Sequence, residues 1–186
     1  MDTTTTIIVV GVAIVAVLII AALWMWMSNR RQDKRLQETF GTEYDTAHAR
    51  SGDPKAAKQE LKDRQERVSN YDLKPLTSEQ RMSFMSEWRG MQASFVDHPG
   101  TAVNRADLLL TEVMRARGYE SSAIDQDQRI ADVSVGHGDE ATAFREAARI
   151  AALNRQNRAT TEDLRRAIKD YGVVFEALLN ERQPVG

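Results

Sequence analysis

The sequence predicts an all-α fold: a single N-terminal transmembrane helix, then a polar helical spacer, then a compact helical bundle. Three observations support this prediction. Residues 7–27 contain no charged side chain. In the rest of the chain, apolar residues recur at spacings of three and four, the period of an α-helix. The sequence shows no sustained period-two alternation bounded by turn residues, the pattern that marks strands.

The apolar run of residues 7–27 predicts an uncleaved membrane anchor. As a helix with a rise of ~1.5 Å per residue, it would be about 31 Å long, which matches the roughly 30 Å hydrocarbon core of a bilayer. A cleaved signal peptide needs a basic start and a small-residue cleavage site. Here Asp2 stands at the start, and Trp24 and Trp26 occupy the far end. A helix buried inside a bundle is the other alternative, but such helices are seldom apolar all round over this length.

Basic residues follow the anchor directly and predict its orientation. Lysine and arginine favour the cytoplasmic side of a membrane, and the first six residues contain neither. We therefore expect a single pass through the cell (inner) membrane, with the N-terminus on its outer side and the C-terminal domain in the cytoplasm. The bases also predict contact with anionic lipid, at about 1 kcal/mol each, unless they serve only as a topology signal. The predicted membrane-interface residues are Trp24, Trp26, Arg30, Arg31, Lys34 and Arg35.

Composition bounds the remaining chain of about 160 residues, which is enough for one domain with a core. Its charge is nearly balanced, with 25 basic and 27 acidic residues in the whole chain, so a nucleic-acid partner is not expected. There is no cysteine, which excludes disulfides, iron–sulfur clusters, thiolate metal sites and thiol nucleophiles.

Before the bundle, the sequence predicts two helices in a polar spacer. The anchor helix is expected to continue to Phe40 and end at Gly41, and residues 43–51 to form a short helix. Asp53 followed by Pro54 predicts the start of a polar helix that runs to about residue 71. Its few apolar positions favour a solvated spacer, with a docking surface for another chain as the alternative. The predicted boundaries are 1–40 for the anchor, 41–75 for the spacer, 76–181 for the bundle and 182–186 for a flexible tail.

The bundle is predicted from capping signals and apolar faces. Residues 77–80 fit a capping box, and residues 160–163 fit a variant with Asp163 in the third position. A short helix is expected near residues 125–133, before a turn at Gly136 and Gly138. The apolar faces at helical spacing are Phe84, Trp88, Met91, Phe95; Val103, Ala106, Leu110, Val113; Phe144, Ala147, Ala148, Ala151; and Leu164, Ile168, Tyr171, Phe175, Leu178. Such faces predict a bundle of about four helices.

The chain contains no recognisable catalytic, cofactor-binding or metal-binding motif. His48, His98 and His137 stand outside any metal-ligand spacing. His137 with Asp139 and Glu140 could in principle bind a metal, but a turn followed by helix-starting acids explains them better. We therefore predict no catalytic residue, no cofactor and no metal.

Several strings resemble a widespread bacterial family of small, uncharacterised, often membrane-anchored helical proteins. The strings lie at residues 35–44, 76–81, 88, 95–97, 112–119 and 161–165. The first, ending in Thr39-Phe40-Gly41-Thr42-Glu43-Tyr44, is similar to the family's LxERFGxEYD stretch. The family usually has proline after the histidine that matches His137, where this chain has Gly138, so a looser turn is expected there. The resemblance implies a bacterial origin and a helical fold, and it assigns no activity.

Two classes of function follow from these features. The first is a non-enzymatic, membrane-tethered interaction or scaffold domain with a protein partner. The second is a membrane-anchored enzyme with a carboxylate- or histidine-containing site. A deep pocket holding two or more carboxylates, or a histidine with a shifted pKa, would favour the enzyme.

Overall fold

The described part of the chain consists of helices and the loops that connect them, and it contains no strand. The computed structural model describes residues 17, 19–21, 23, 24, 27, 34–120 and 125–180. The chain divides into two compact units, Met1–Glu38 and Thr39–Gly186. The helices of the second unit are α1 (Thr42–Ser51), α2 (Pro54–Ser69), α3 (Ser78–Ser94), α4 (Pro99–Ala116), α5 (Gln126–Val133), α6 (Gly138–Arg155) and α7 (Thr161–Asn180). The predicted all-α fold class is confirmed for these residues.

In the first unit, the described residues between 17 and 27 are helical, as are residues 34–38. Among the residues that the structure describes, no helix is both long enough and apolar enough to cross a membrane. Most of the predicted span at residues 7–27 lies outside those residues, and so does the predicted tail at 182–186.

Helices α1 and α2 form a hairpin with well-defined ends. Gly41 has a φ of 49° before α1, and Gly52 has a φ of 65° after it, conformations that glycine adopts without steric cost. The Asp53 side chain accepts a hydrogen bond from the backbone N–H of Lys55, with Pro54 at the first helical position. The cap predicted at Asp53 is confirmed.

This hairpin packs on the rest of the second unit. Helix α1 contacts α2 and α6, and α2 contacts α5. Ala57, Leu61, Arg64 and Val68, on one face of α2, are buried. Residues 42–69 therefore pack on the rest of the second unit, whereas the sequence predicted a solvated spacer. The helix looked polar in the sequence because a charged residue, Arg64, occupies one position of its buried face.

Capping residues fix the starts of the longer helices. Thr77 and Gln80 form the predicted reciprocal capping box at α3. Thr160 and Asp163 form the predicted variant at α7, where Asp163 accepts from the Thr160 backbone N–H and Thr160 accepts from that of Asp163. Both predictions from sequence are confirmed.

A single apolar core joins α3 to α7, and α7 lies at its centre, packed along α4 and α6. Trp88 stacks on Phe175 with ring centroids 4.6 Å apart, and Phe144 meets Tyr171 edge to face. The predicted apolar faces are confirmed as core: Trp88 and Met91 are buried, and Phe84, Phe95 and Ile168 are half-buried against the cluster. The bundle has five helices in this region rather than four.

At two glycines of the bundle, the backbone of another segment approaches unusually closely. A Cβ on Gly138 would lie 1.8 Å from the Phe40 carbonyl oxygen, so only glycine permits this approach at the start of α6. A Cβ on Gly118 would lie 2.2 Å from the Asp72 carbonyl oxygen, and Gly118 has a φ of 94°. These contacts hold residue 40 and the α2–α3 connection against the bundle.

Candidate functional site

The structure describes only some of the predicted membrane-interface residues. Trp24 is helical and 74% exposed. Lys34 and Arg35 are helical and exposed. Trp26, Arg30 and Arg31 lie outside the described residues. Nothing in the described residues therefore tests the predicted interface as a whole.

A buried carboxylate lies where the α1–α2 hairpin meets the bundle. Glu43 on α1 is fully buried, and Arg145 on α6 grips it with two parallel hydrogen bonds of 3.0 and 2.8 Å. Arg64 on α2 donates a third, 3.0 Å long, to Glu43 Oε1. One carboxylate thus joins three helices through charge-assisted hydrogen bonds, which are shorter and stronger than neutral ones.

Arg64 extends this cluster towards solvent and towards α5. Its Nη1 also donates to Ser134 Oγ, 3.1 Å away, and its Nη2 donates to Glu60. Glu60 in turn accepts from Arg50 at 3.0 Å. The Arg64 side chain is only 6% exposed, so its partners replace most of its lost hydration.

A second buried carboxylate, Asp132 on α5, holds the other end of α2. Arg67 donates to its Oδ1 from Nε and Nη2, at 2.9 and 2.8 Å, and the Tyr71 hydroxyl donates to its Oδ2 at 2.8 Å. Burial alone would lower the pKa of Arg67, but the hydrogen bond and charge of Asp132 raise it overall. Burial, followed by the hydrogen bond to Asp132, raises the pKa of Tyr71.

A cleft of about 540 Å³ opens above these ion pairs. It is lined by Arg50, Arg64, Arg67 and Arg145, by the carboxylates Glu60, Asp63 and Asp127, and by Gln128, Ile130 and Ala131. We call it the junction cleft. Its carboxylates include Glu60, bound to two arginines, and Asp63, which accepts from Gln59 at 2.7 Å. Glu43, beneath the cleft, is fully buried and cannot reach a substrate proton.

A further cluster of charged groups is built into the core between α4, α5 and α7. Arg129 forms an ion pair with Asp107 at 3.0 Å, donates to Thr111 and Gln126, and lies over the Phe144 ring, 5.5 Å from its centroid. Burial, then the charge of Asp107, raises the pKa of Tyr171 well above its ordinary value. The Tyr171 hydroxyl therefore stays protonated at neutral pH.

The three histidines belong to different elements of the fold. His48 lies on α1 with its ring centroid 4.5 Å from that of Tyr44. His98 precedes α4, and His137 precedes α6. Within residues 34–120 and 125–180 and the few described before them, no group of three His, Asp or Glu side chains could hold a metal ion. The turn at His137 positions the start of α6, where Asp139 accepts from the Thr42 hydroxyl at 2.7 Å.

Sequence reasoning missed Glu43, Arg64, Arg67, Asp132 and Arg145. The ion pairs among these five residues span 21 positions for Arg64–Glu43, 65 for Arg67–Asp132 and 102 for Arg145–Glu43. One local signal existed. Positions 57, 61, 64 and 68 repeat at 4, 3 and 4, the spacing of the core faces, with an arginine in third place.

Comparison with known proteins adds no relative: no protein-family model matches the chain, and no curated protein or solved structure shows significant similarity to it.

Proposed function

We propose that the protein is a non-enzymatic interaction protein, tethered to the bacterial inner membrane by one helix, with its N-terminus outside and its helical unit in the cytoplasm. One observation supports the tether above all. Large apolar side chains of the described helical residues between 17 and 27 are exposed by about half or more of their surface: Val17, Ile19, Ile20, Leu23, Trp24 and Met27. Soluble proteins rarely expose so many neighbouring apolar side chains, whereas a lipid-facing helix must.

The interaction role is supported by the state of the carboxylates. Glu43 and Asp132 are buried and gripped by arginines, and Glu60 bridges two arginines. Ion pairs of this kind position helices, whereas a general acid or base needs an accessible proton. The enzyme alternative retains one supporting observation, since the junction cleft holds three carboxylates, Glu60, Asp63 and Asp127.

A pair of matched variants tests the tether. Ile20→Arg places a charge in the proposed span, where arginine costs roughly 2.5–3.5 kcal/mol near the helix centre. Leu108→Arg makes a similar change at another exposed apolar residue, within the second unit. We expect the Ile20 variant to leave the membrane fraction partly or fully and the Leu108 variant to stay. Equal behaviour of the two variants would argue against the tether.

Fusions at the C-terminus test the orientation. We expect a fluorescent protein fused there to fold in the cytoplasm and fluoresce, and alkaline phosphatase fused there to be inactive. The reverse pair of results would overturn the proposed topology. Because the bases after the span determine this orientation, replacing Lys34 and Arg35 by glutamate should weaken it.

A further inference from the structure

Helices α3 and α7 leave a groove between them on the surface of the second unit. Arg81 near the start of α3 donates to Asn180 at the end of α7, 3.2 Å away, and Trp88 stacks on Phe175. The two helices therefore run antiparallel. A cleft of about 420 Å³ lies between them, with Trp88 and Gly172 among its lining residues. A Cβ on Gly172 would come within 3.2 Å of the indole.

Apolar side chains lie among the polar ones that line this cleft. Val173 on α7 is 43% exposed, and Ile168, five residues earlier, is half-buried. A second cleft of about 380 Å³ lies along the first half of α3 and includes Met82 and Met85. Met82 is 67% exposed. Methionine and valine exposed beside a tryptophan form a surface that adapts to apolar side chains of a partner. Met85 and Arg89 in the second cleft lie one helical turn from Trp88 and Gln92 in the first, so the two clefts adjoin along α3, and we call them together the α3–α7 groove.

The edges of the groove are basic. Arg81 and Arg89 line it on α3, and Lys169 and Arg165, which forms an ion pair with Glu162, line it on α7, against one acid, Glu176. Neither Arg89 nor Lys169 forms an ion pair within the part of the chain that the structure describes. The whole chain has a net charge of −2, so this local excess of base contrasts with the charge of the chain as a whole.

We propose that the α3–α7 groove binds an acidic amphipathic helix of a protein partner. This inference rests on the proposed interaction function and names the class of its partner. In this mode of binding, apolar residues at i, i+3, i+4 and i+7 enter the groove. Aspartates and glutamates on the flanks of the partner helix then face Arg89 and Lys169, which are without ion-pair partners among the described residues.

The concave shape favours a helix over a lipid surface. A basic and apolar face can also bind an anionic bilayer. A flat bilayer surface cannot follow a cleft of about 420 Å³ that reaches Trp88, which is itself only 5% exposed. A helix, about 10 Å across with its side chains, can lie along two neighbouring helices and fill such a cleft.

Photo-crosslinking in the intact cell tests the proposal with the full-length protein. A benzophenone amino acid replaces Val173 inside the groove, and in a control chain it replaces Leu108, which lines neither cleft. After irradiation, mass spectrometry identifies the crosslinked peptide. We expect Val173 to crosslink to a segment with apolar residues at helical spacing and an excess of aspartate and glutamate, and Leu108 not to crosslink to that segment.

Charge reversal completes the test. Arg89→Glu with Lys169→Glu should reduce the yield of the Val173 adduct at least tenfold. Lys55→Glu with Arg158→Glu, an equal change at two exposed residues outside the groove, should leave the yield unchanged. A Val173 adduct with lipid, with a second copy of this chain or with a basic segment would overturn the proposal. The proposal would also be overturned if Val173 formed no adduct, or if the yield of the adduct were the same in the Arg89→Glu, Lys169→Glu variant.

These outcomes remain distinct from failure of the proposed function. If Leu108 captures a partner and Val173 does not, the groove is wrong and the interaction function stands. If the protein leaves the membrane fraction only when Ile20 is changed, the tether stands whatever the crosslinks show.

Discussion

Glu43 offers the sharpest test of how the hairpin is held. Glu43→Gln keeps the shape of the side chain and removes its charge, which leaves Arg64 and Arg145 without their shared counter-charge. Removing one partner of a buried ion pair typically costs about 3–5 kcal/mol. The Arg145 side chain is 33% exposed, so water compensates for part of the loss. We therefore expect a loss of about 3 kcal/mol, a large part of the ~5–15 kcal/mol of an ordinary domain.

The assay is urea and thermal unfolding of the fragment that spans residues 39–186. A loss of about 3 kcal/mol should lower its Tm by about 6–12 °C, at roughly 2–4 °C per kcal/mol for a domain of this size. Glu60→Gln is the matched control, because Glu60 also binds Arg64 but its side chain is 43% exposed. Because Arg64 keeps Glu43 and Ser134 as partners in this variant, and Arg50–Glu60 is an exposed pair, we expect a loss of about 0–1 kcal/mol. If the two variants unfold within 1 kcal/mol of each other, our account of the junction is wrong.

Three further predictions follow from packing and titration. Trp88→Ala removes a buried ring stacked on Phe175 and should cost about 3–5 kcal/mol, measured by urea unfolding. Gly138→Ala drives a Cβ into the Phe40 carbonyl and should cost more than about 2 kcal/mol in the same assay. The raised pKa of Tyr71 means that the folded state holds this proton more tightly than the unfolded state. Its contribution is complete below about pH 10 and is lost as the pH rises through the raised pKa.

Each of these predictions has a matched control. Met82→Ala, at a residue 67% exposed, should change stability by less than about 0.5 kcal/mol. Gly90→Ala should be neutral or stabilising by up to about 1 kcal/mol, because its Cβ meets nothing and alanine favours a helix. Tyr71→Phe should reduce the alkaline loss of stability. An unchanged alkaline profile in that variant, or equal effects within either matched pair, would contradict the corresponding prediction.

The helices of the bundle were predictable because their signals are local. Thr77 with Gln80, Thr160 with Asp163, and Asp53 before Pro54 all cap the helices that the sequence assigned to them. Apolar faces were predictable for the same reason, because residues three and four apart in sequence lie on the same face of a helix.

The charged junction was not predictable because its signals are distant in sequence. Nothing near Glu43 indicates that Arg145, 102 residues later, will bind it. The sequence of α2 is also polar although one face of the helix is buried, because Arg64 lies on that face. This polar sequence led to the expectation of a solvated spacer. The membrane-interface residues remain predictions, since their evidence is the amino-acid pattern and the exposure of a few apolar side chains.

The separation between the hairpin and the apolar core has a mechanical consequence. The apolar core joins α3 to α7 and includes no residue of α1 or α2. Tension applied at the N-terminus enters the second unit at Thr39, whose carbonyl accepts from the Gly136 N–H, passes Phe40 at Gly138 and then reaches α1 of the hairpin. Ion pairs at 2.8–3.0 Å resist small displacements strongly but lose most of their strength once water separates the partners. We therefore expect the hairpin to separate from the bundle under load before the apolar core of α3 to α7 unfolds.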